Sequence, residues 1–178
     1  MTDKKKFSKK QILCFAAGVL ALTVGFGIFS FLGIRKICRE IHKHKLMKEN
    51  MVVEIAELGI KAPVLEGTEQ SVLAEGAGHF TGTGGFGKGN FCIAAHSSVI
   101  YKEYFNSLKK VEKGMEILLY DKDKNTAAYK VSDFFIVDPS ETGVLDDFGD
   151  DRITLITCTD DGSQRLVVVG LLETKEGS

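Results

Sequence analysis

The sequence predicts an all-β domain, a sandwich or a closed barrel, carried behind a single N-terminal membrane-spanning helix. Two observations lead there. Between Met51 and Glu173 the chain breaks into short segments rich in Val and Ile with few helical stretches between them, the pattern of a sandwich or of a sheet closed on itself. Ahead of that region, Ile12 to Ile34 contains no Asp, Glu, Lys or Arg. About 20 apolar residues, each rising about 1.5 Å in a helix, suffice to cross a hydrocarbon core.

Residues 1–11 form a tail carrying Lys4, Lys5, Lys6, Lys9 and Lys10. A cleaved signal peptide begins in the same way, but this apolar run is longer than a typical signal core and has no clear Ala-x-Ala exit, so 12–34 reads as an uncleaved anchor. The far flank is also basic (Arg35, Lys36, Arg39, Lys43, Lys45, Lys48), and charge asymmetry therefore does not orient the span. Residues 35–50 read as a polar stalk, helical or extended, and 51–178 as the folded domain. Strands are expected over Met51–Glu57, Gly59–Val64, Asn90–Ala95, Met115–Asp121, Thr126–Val137, Arg152–Cys158 and Arg165–Glu173. Tyr101, Tyr104, Phe105 and Leu108 recur at helical spacing, with Lys113-Gly114 as a turn after them, and a second short helix is expected around Ser71–Glu75.

A chain of 178 residues with net charge -1 has room for one domain plus an appendage and presents no overall basic field for nucleic acid. The run Gly82 to Lys88, GTGGFGK, fits the first part of a nucleotide-binding loop. That loop needs a Ser or Thr hydroxyl for Mg²⁺ after the lysine, and a helix whose amides hold phosphate. Gly89 follows instead, and then the apolar Asn90-Phe91-Cys92-Ile93-Ala94-Ala95, which reads as a buried strand. No nucleotide is expected. The glycine run delivers a strand to His96.

Four cysteines give no disulfide framework and no Cys-x-x-Cys pair: Cys14 lies in the anchor, Cys38 just beyond it, and Cys92 inside an apolar strand as a small hydrophobe. Cys158 differs. It ends the segment Thr154-Leu155-Ile156-Thr157-Cys158, where alternation puts Thr154, Ile156 and Cys158 on one face and brings the thiol to the margin of the core. If the next strand pairs as a hairpin through Thr159–Gln164, Arg165 stands almost opposite Cys158. A guanidinium there favours thiolate and can also bind an oxyanion on a carbonyl under attack. The proton-transfer candidates are His42, His44, His79 and His96. His42 and His44 belong to the basic stalk and His79 to a Gly-rich loop, whereas His96 ends a strand as Cys158 does.

Gly89-Asn90-Phe91-Cys92-Ile93-Ala94-Ala95 before His96, Thr154 to Cys158, and Arg165 before Leu166-Val167-Val168-Val169 together resemble the sortases, cysteine transpeptidases of Gram-positive cell surfaces. The resemblance covers about Val53 to Glu173. It implies a closed eight-stranded β-barrel with one or two short helices, and it matches Cys158, His96 and Arg165 to the family's catalytic residues, with Thr157 in support. It implies cleavage of an LPXTG-like signal between Thr and Gly and transfer to a cell-wall precursor amine. It also implies a cytoplasmic N-terminus and an extracytoplasmic domain. Class A is the nearest subclass and class D the runner-up. Some class A members bind Ca²⁺ through acidic loops, and Glu141, Asp146, Asp147, Asp150 and Asp151 form such a loop, expected here to be solvated and without metal. The competing reading is a non-catalytic membrane-anchored β-domain that binds peptide or cell-wall material, with Cys158 a buried thiol.

Overall fold

The computed structural model describes residues 9–97 and 104–173, without the side chains at 9, 11, 12, 14, 16, 17, 20 and 21. It divides into two compact units, Met1–His42 and Lys43–Ser178. One helix, α1 (Lys9–Glu49), covers the predicted anchor and stalk, so the stalk is helical rather than extended. Among the described residues no helix is long and apolar enough to cross a membrane, and the span over 12–34 rests on the sequence alone.

The second unit is the closed barrel. Its strands are β1 (Met51–Ile55), β2 (Ile60–Glu66), β3 (Ala77–His79), β4 (Asn90–Ala94), β5 (Glu116–Tyr120), β6 (Thr126–Val137), β7 (Arg152–Cys158) and β8 (Arg165–Leu172). Around the barrel they run β1-β2-β3-β4-β7-β8-β6-β5, and β5 pairs back onto β1. Two neighbouring pairs are parallel, β2 with β3 and β4 with β7, and the rest are antiparallel. The first expected strand stops at Ile55 because Ala56–Leu58 form a 3₁₀ turn closed by Gly59 at φ +63°, a backbone that glycine adopts without steric cost. The short helix α2 (Gln70–Leu73) falls where one was expected. Strand β3 did not stand out in the sequence, since Ala-Gly-His is too short to show alternation, yet it carries the sheet from β2 to β4. Of the expected helical patch, Tyr101 lies outside the described residues. Leu108–Lys110 form a 3₁₀ turn, and Phe105 and Leu108 are fully buried in the barrel core.

Period-two alternation sorts the strands' side chains. Ile153 and Leu155 of β7 point into the barrel with Phe91, Ile93, Ile117 and Tyr129, and each such aliphatic or aromatic burial is worth about 1.5–3 kcal/mol. Thr154 and Ile156 face outward and are nevertheless buried, so something covers this part of the barrel's outside. The cover is the β6–β7 connection, whose Val144 and Leu145 pack on Ile156, Val167 and Val169. The barrel therefore has a second, smaller apolar cluster on its outer face, next to the end of β7.

Candidate active site

Three adjacent strands bring the sequence's candidates to one end of the barrel. Strands β4 and β7 run parallel in the register Asn90↔Arg152 through Ala94↔Ile156. The alignment continues past the end of β4: Ala95 N–H donates to the Ile156 carbonyl at 3.2 Å, and the Thr157 hydroxyl donates to the Ala95 carbonyl at 2.8 Å. The next residues in step are His96 and Cys158. On the other side of β7, Cys158 pairs directly with Arg165 of β8. His96, Cys158 and Arg165 therefore form one row across three strands, and all three are half-buried. Thr157 is buried, with its hydroxyl committed to Ala95, so it joins the strand ends that carry the histidine and the cysteine.

The expected hairpin is present, but the guanidinium is engaged elsewhere. Arg165 Nη1 donates to the carbonyls of Gly162 at 3.2 Å and Gln164 at 3.0 Å, which ties the side chain to its own loop. Both Nη1 hydrogens are used there, leaving Nε and Nη2 as the donors available to a substrate oxygen. That loop is itself ordered. Asp161 accepts from the hydroxyls of Thr159 at 2.6 Å and Ser163 at 2.7 Å and from the Ser163 amide at 3.1 Å. These donors, Thr159 first, hold the Asp161 carboxyl down at about 2. Lys109 pairs with Asp160 at 2.7 Å and straps the loop to the turn at Leu108–Lys110.

Two depressions flank the end of β7. A cleft of about 500 Å³ opens beside Cys158, with Phe105, Phe134, Ile136 and Leu166 as apolar walls and Ser97 and Asp160 at its margin. On the outer face, a groove of about 320 Å³ follows Val137, Val144, Thr154, Val167 and Val169 under the β6–β7 connection. Ala94 and Ile156, from the two parallel strands, lie in the same apolar cluster, and Ile156 is two residues from the thiol.

The remaining candidates stand apart from this row. Cys92 is fully buried, and burial pushes its thiol up to about 11. His42 and His44 are exposed on α1. His79 is not a loop residue, as the sequence suggested, but a buried member of β3. Its Nδ1 lies 2.8 Å from Glu66, its Nε2 lies 3.1 Å from the Gly84 carbonyl, and its ring stacks on Phe91 at 4.4 Å. The hydrogen bond from His79 is the main cause of a lowered Glu66 pKa. That cluster fastens the glycine run. Within it Gly85 and Lys88 exchange backbone hydrogen bonds at 2.9 and 3.1 Å, a tight turn that feeds β4 with no helix after it. A Cβ on Gly84 would lie 2.6 Å from the Lys88 carbonyl oxygen and 2.7 Å from Asn90 backbone atoms, so close approach of the chain requires glycine there.

The acidic loop does not converge. Glu141 accepts from the Gly143 amide, Asp147 from the Gly149 amide and Asp151 from the Gly89 amide, while Asp150 pairs with Arg152. Among the described residues no three His, Cys, Asp or Glu side chains are grouped to hold a metal ion.

A sortase-domain family model matches residues 53–173. The chain belongs to the sortase family. It is 33% identical to Sortase A of Bacillus anthracis over 141 residues, which is 76% of this chain and 67% of that protein. It is also 33% identical to Sortase A of Listeria monocytogenes over 126 residues, 70% of this chain and 56% of the relative. The chain thus spans between about half and two thirds of the curated relatives it matches. Among solved structures, sortase A of Listeria monocytogenes aligns with a TM-score of 0.66 at 32% identity, covering 70% of this chain and 86% of that one. A pilus-related sortase C of Group B Streptococcus aligns at 0.65 and 34%, covering 73% and 70%. Sortases are cysteine transpeptidases, and the row at the barrel's end contains the thiol, imidazole and guanidinium that such chemistry needs.

Proposed function

We propose that this sortase cleaves an LPXTG-like sorting signal between Thr and Gly and transfers the acyl group to a cell-wall precursor amine. The observation that supports it most is the register that lines up His96, Cys158 and Arg165 across β4, β7 and β8. The signal lies along the outer-face groove, against Val144, Val167 and Val169, with its threonine carbonyl reaching Cys158.

The Cys158 thiolate attacks that carbonyl carbon, and a C–S bond forms as charge moves onto oxygen, where Arg165 Nε and Nη2 donate to it. The C–N bond to glycine then breaks, and His96 supplies the proton that the leaving amine needs. An acceptor amine attacks the thioester and passes its proton to His96. The C–S bond breaks and Cys158 returns as thiolate. Thr157 supports this by holding the ends of β4 and β7 in step.

The class A subclass is favoured by curated relatives named Sortase A. The same proposal includes a membrane anchor over 12–34, a cytoplasmic tail over 1–11, a stalk over 35–50 and an extracytoplasmic catalytic domain over 51–178. Within its own unit α1 exposes Leu22, Phe26 and Phe29, apolar surface of the kind that lipid covers. The enzyme is proposed to work without a resident metal or other cofactor. The test is turnover of a panel of fluorogenic LPXTG-like peptides by the full chain in detergent, with and without Ca²⁺ and an amine acceptor. Cleavage with amine-dependent transfer supports the proposal, and absence of turnover on every peptide contradicts it.

A further inference from the structure

Asn90 begins β4, far along the strand from His96, and is only 2% exposed. A primary amide buried so deeply costs folding free energy unless its donors and acceptor are met. Here they are met by two different elements. Its Nδ2 donates to the carbonyls of Val144 at 3.0 Å and Asp146 at 2.8 Å, both in the β6–β7 connection. Its Oδ1 accepts from the Thr154 hydroxyl of β7 at 2.7 Å.

The connection's other hydrogen bonds are mostly its own. Ser140 turns onto Asp138, Gly143 onto Glu141, Gly149 onto Asp147, and Leu145 N–H onto the Thr142 carbonyl. These bonds shape the segment without attaching it to the barrel. Among the described residues, its middle is attached to β4 by the pair of Asn90 bonds, with a weak third contact from the Cys92 thiol to the Val144 carbonyl at 4.0 Å, while its last residue, Asp151, accepts from the amides of Gly89 and Leu172. The carbonyl that Asn90 holds belongs to Val144, whose side chain, with that of Leu145, packs on Ile156 and Val167.

We infer that Asn90 is a positioning residue for the donor substrate: it fixes Val144 over Val167 and Val169, and so the width of the groove that takes the sorting signal. This rests on the reading of that groove as the signal's site. The residue type follows from the partners. Two N–H donors aimed at two carbonyls, with an acceptor facing a hydroxyl, describe a carboxamide. Aspartate would put oxygens against both carbonyls, and glutamine would carry the amide one methylene further out. Thr154 completes the device by fixing which way the amide faces.

The effect belongs to binding and not to chemistry, because Asn90 is six residues from His96 and touches neither the thiol nor the imidazole's strand partner. Asn90→Asp and Asn90→Ala should therefore raise KM for a fluorogenic peptide carrying Leu-Pro-Ala-Thr-Gly by about tenfold or more while kcat changes less than about threefold. The rate of Cys158 alkylation by iodoacetamide should be unchanged. Thr154→Val, which keeps Asn90 but removes its buttress, should move KM in the same direction by a smaller factor, and it serves if the Asn90 variants do not fold. Hydrogen exchange of residues 138–151 should rise in all three. Val144→Glu, on the groove wall, serves as the control for the groove itself. If Val144→Glu raises KM but Asn90→Asp and Thr154→Val do not, the positioning role is refuted. If Val144→Glu leaves KM unchanged, the groove reading fails, and the proposal with it. A fall in kcat with KM unchanged in Asn90→Asp would also overturn it.

Discussion

Arg165 is the residue whose structure departs most usefully from its sequence reading. Strand alternation and the length of the 159–164 loop were enough to place it opposite Cys158, because hairpin register follows from those two quantities. Where the guanidinium goes was not legible, since Gly162 and Gln164 become acceptors only through the folded loop. The consequence is geometric. With Nη1 held by two carbonyls, Nε and Nη2 are left in a fixed fork, which an ammonium cannot reproduce. Arg165→Lys should therefore lower kcat/KM on a sorting peptide by roughly 10² or more, as loss of an oxyanion donor does. Near-wild-type turnover in that variant would leave Arg165 only an electrostatic influence on the thiol. His79 shows the opposite limit. Its Gly-rich surroundings suggested a loop, and only a three-residue strand, beyond the reach of periodicity, turns it into a buried fastening between Glu66 and Gly84.

Among the elements, the β7–β8 hairpin is the one whose order depends most visibly on a single carboxylate. Asp161 bridges Thr159 and Ser163, and its pKa of about 2 lies below the ordinary carboxylate value of about 4. The sign follows from linkage. A carboxyl whose folded pKa is depressed contributes order that is fully present above the ordinary value and is lost as pH falls through the folded value. Between about pH 4 and about pH 2 the loop should therefore keep its hydrogen bonds. The Ser163 amide resonance, followed by NMR, should titrate with a midpoint near pH 2 in the wild type and show no such transition in Asp161→Asn. A midpoint near pH 4 would mean that Asp161 does not hold the loop. The loops were the least legible part of the chain in general. Alternation found β1, β2 and β4 to β8 to within about two residues at most ends, whereas the path of 138–151 over the outer face depends on Asn90 and Thr154, which lie 64 residues apart.

At the scale of the whole molecule, the barrel accounts for the spacing of the functional residues along the chain. His96 and Cys158 are 62 positions apart because a parallel pair needs a long crossover, and β5 and β6 occupy it. The anchor is a separate matter, since its evidence is the charge-free run of 12–34 and the exposed apolar face of α1. If the proposed topology holds, protease added to intact protoplasts should digest the domain beyond Asn50 and leave the 1–11 tail protected. A fully protected domain would reverse the orientation.

The central claim is that one thiol, at the end of β7, carries the acyl group. It can be tested by quenching the enzyme with acid during turnover of an LPXTG-like peptide and mapping the acyl adduct by peptide mass spectrometry. The expected result is an adduct on the peptide containing Cys158 and none on Cys92, whose buried thiol stays protonated to about pH 11. Cys158→Ala should show neither adduct nor turnover while keeping its thermal unfolding transition. An adduct on Cys92, or continued cleavage by Cys158→Ala, would contradict the account.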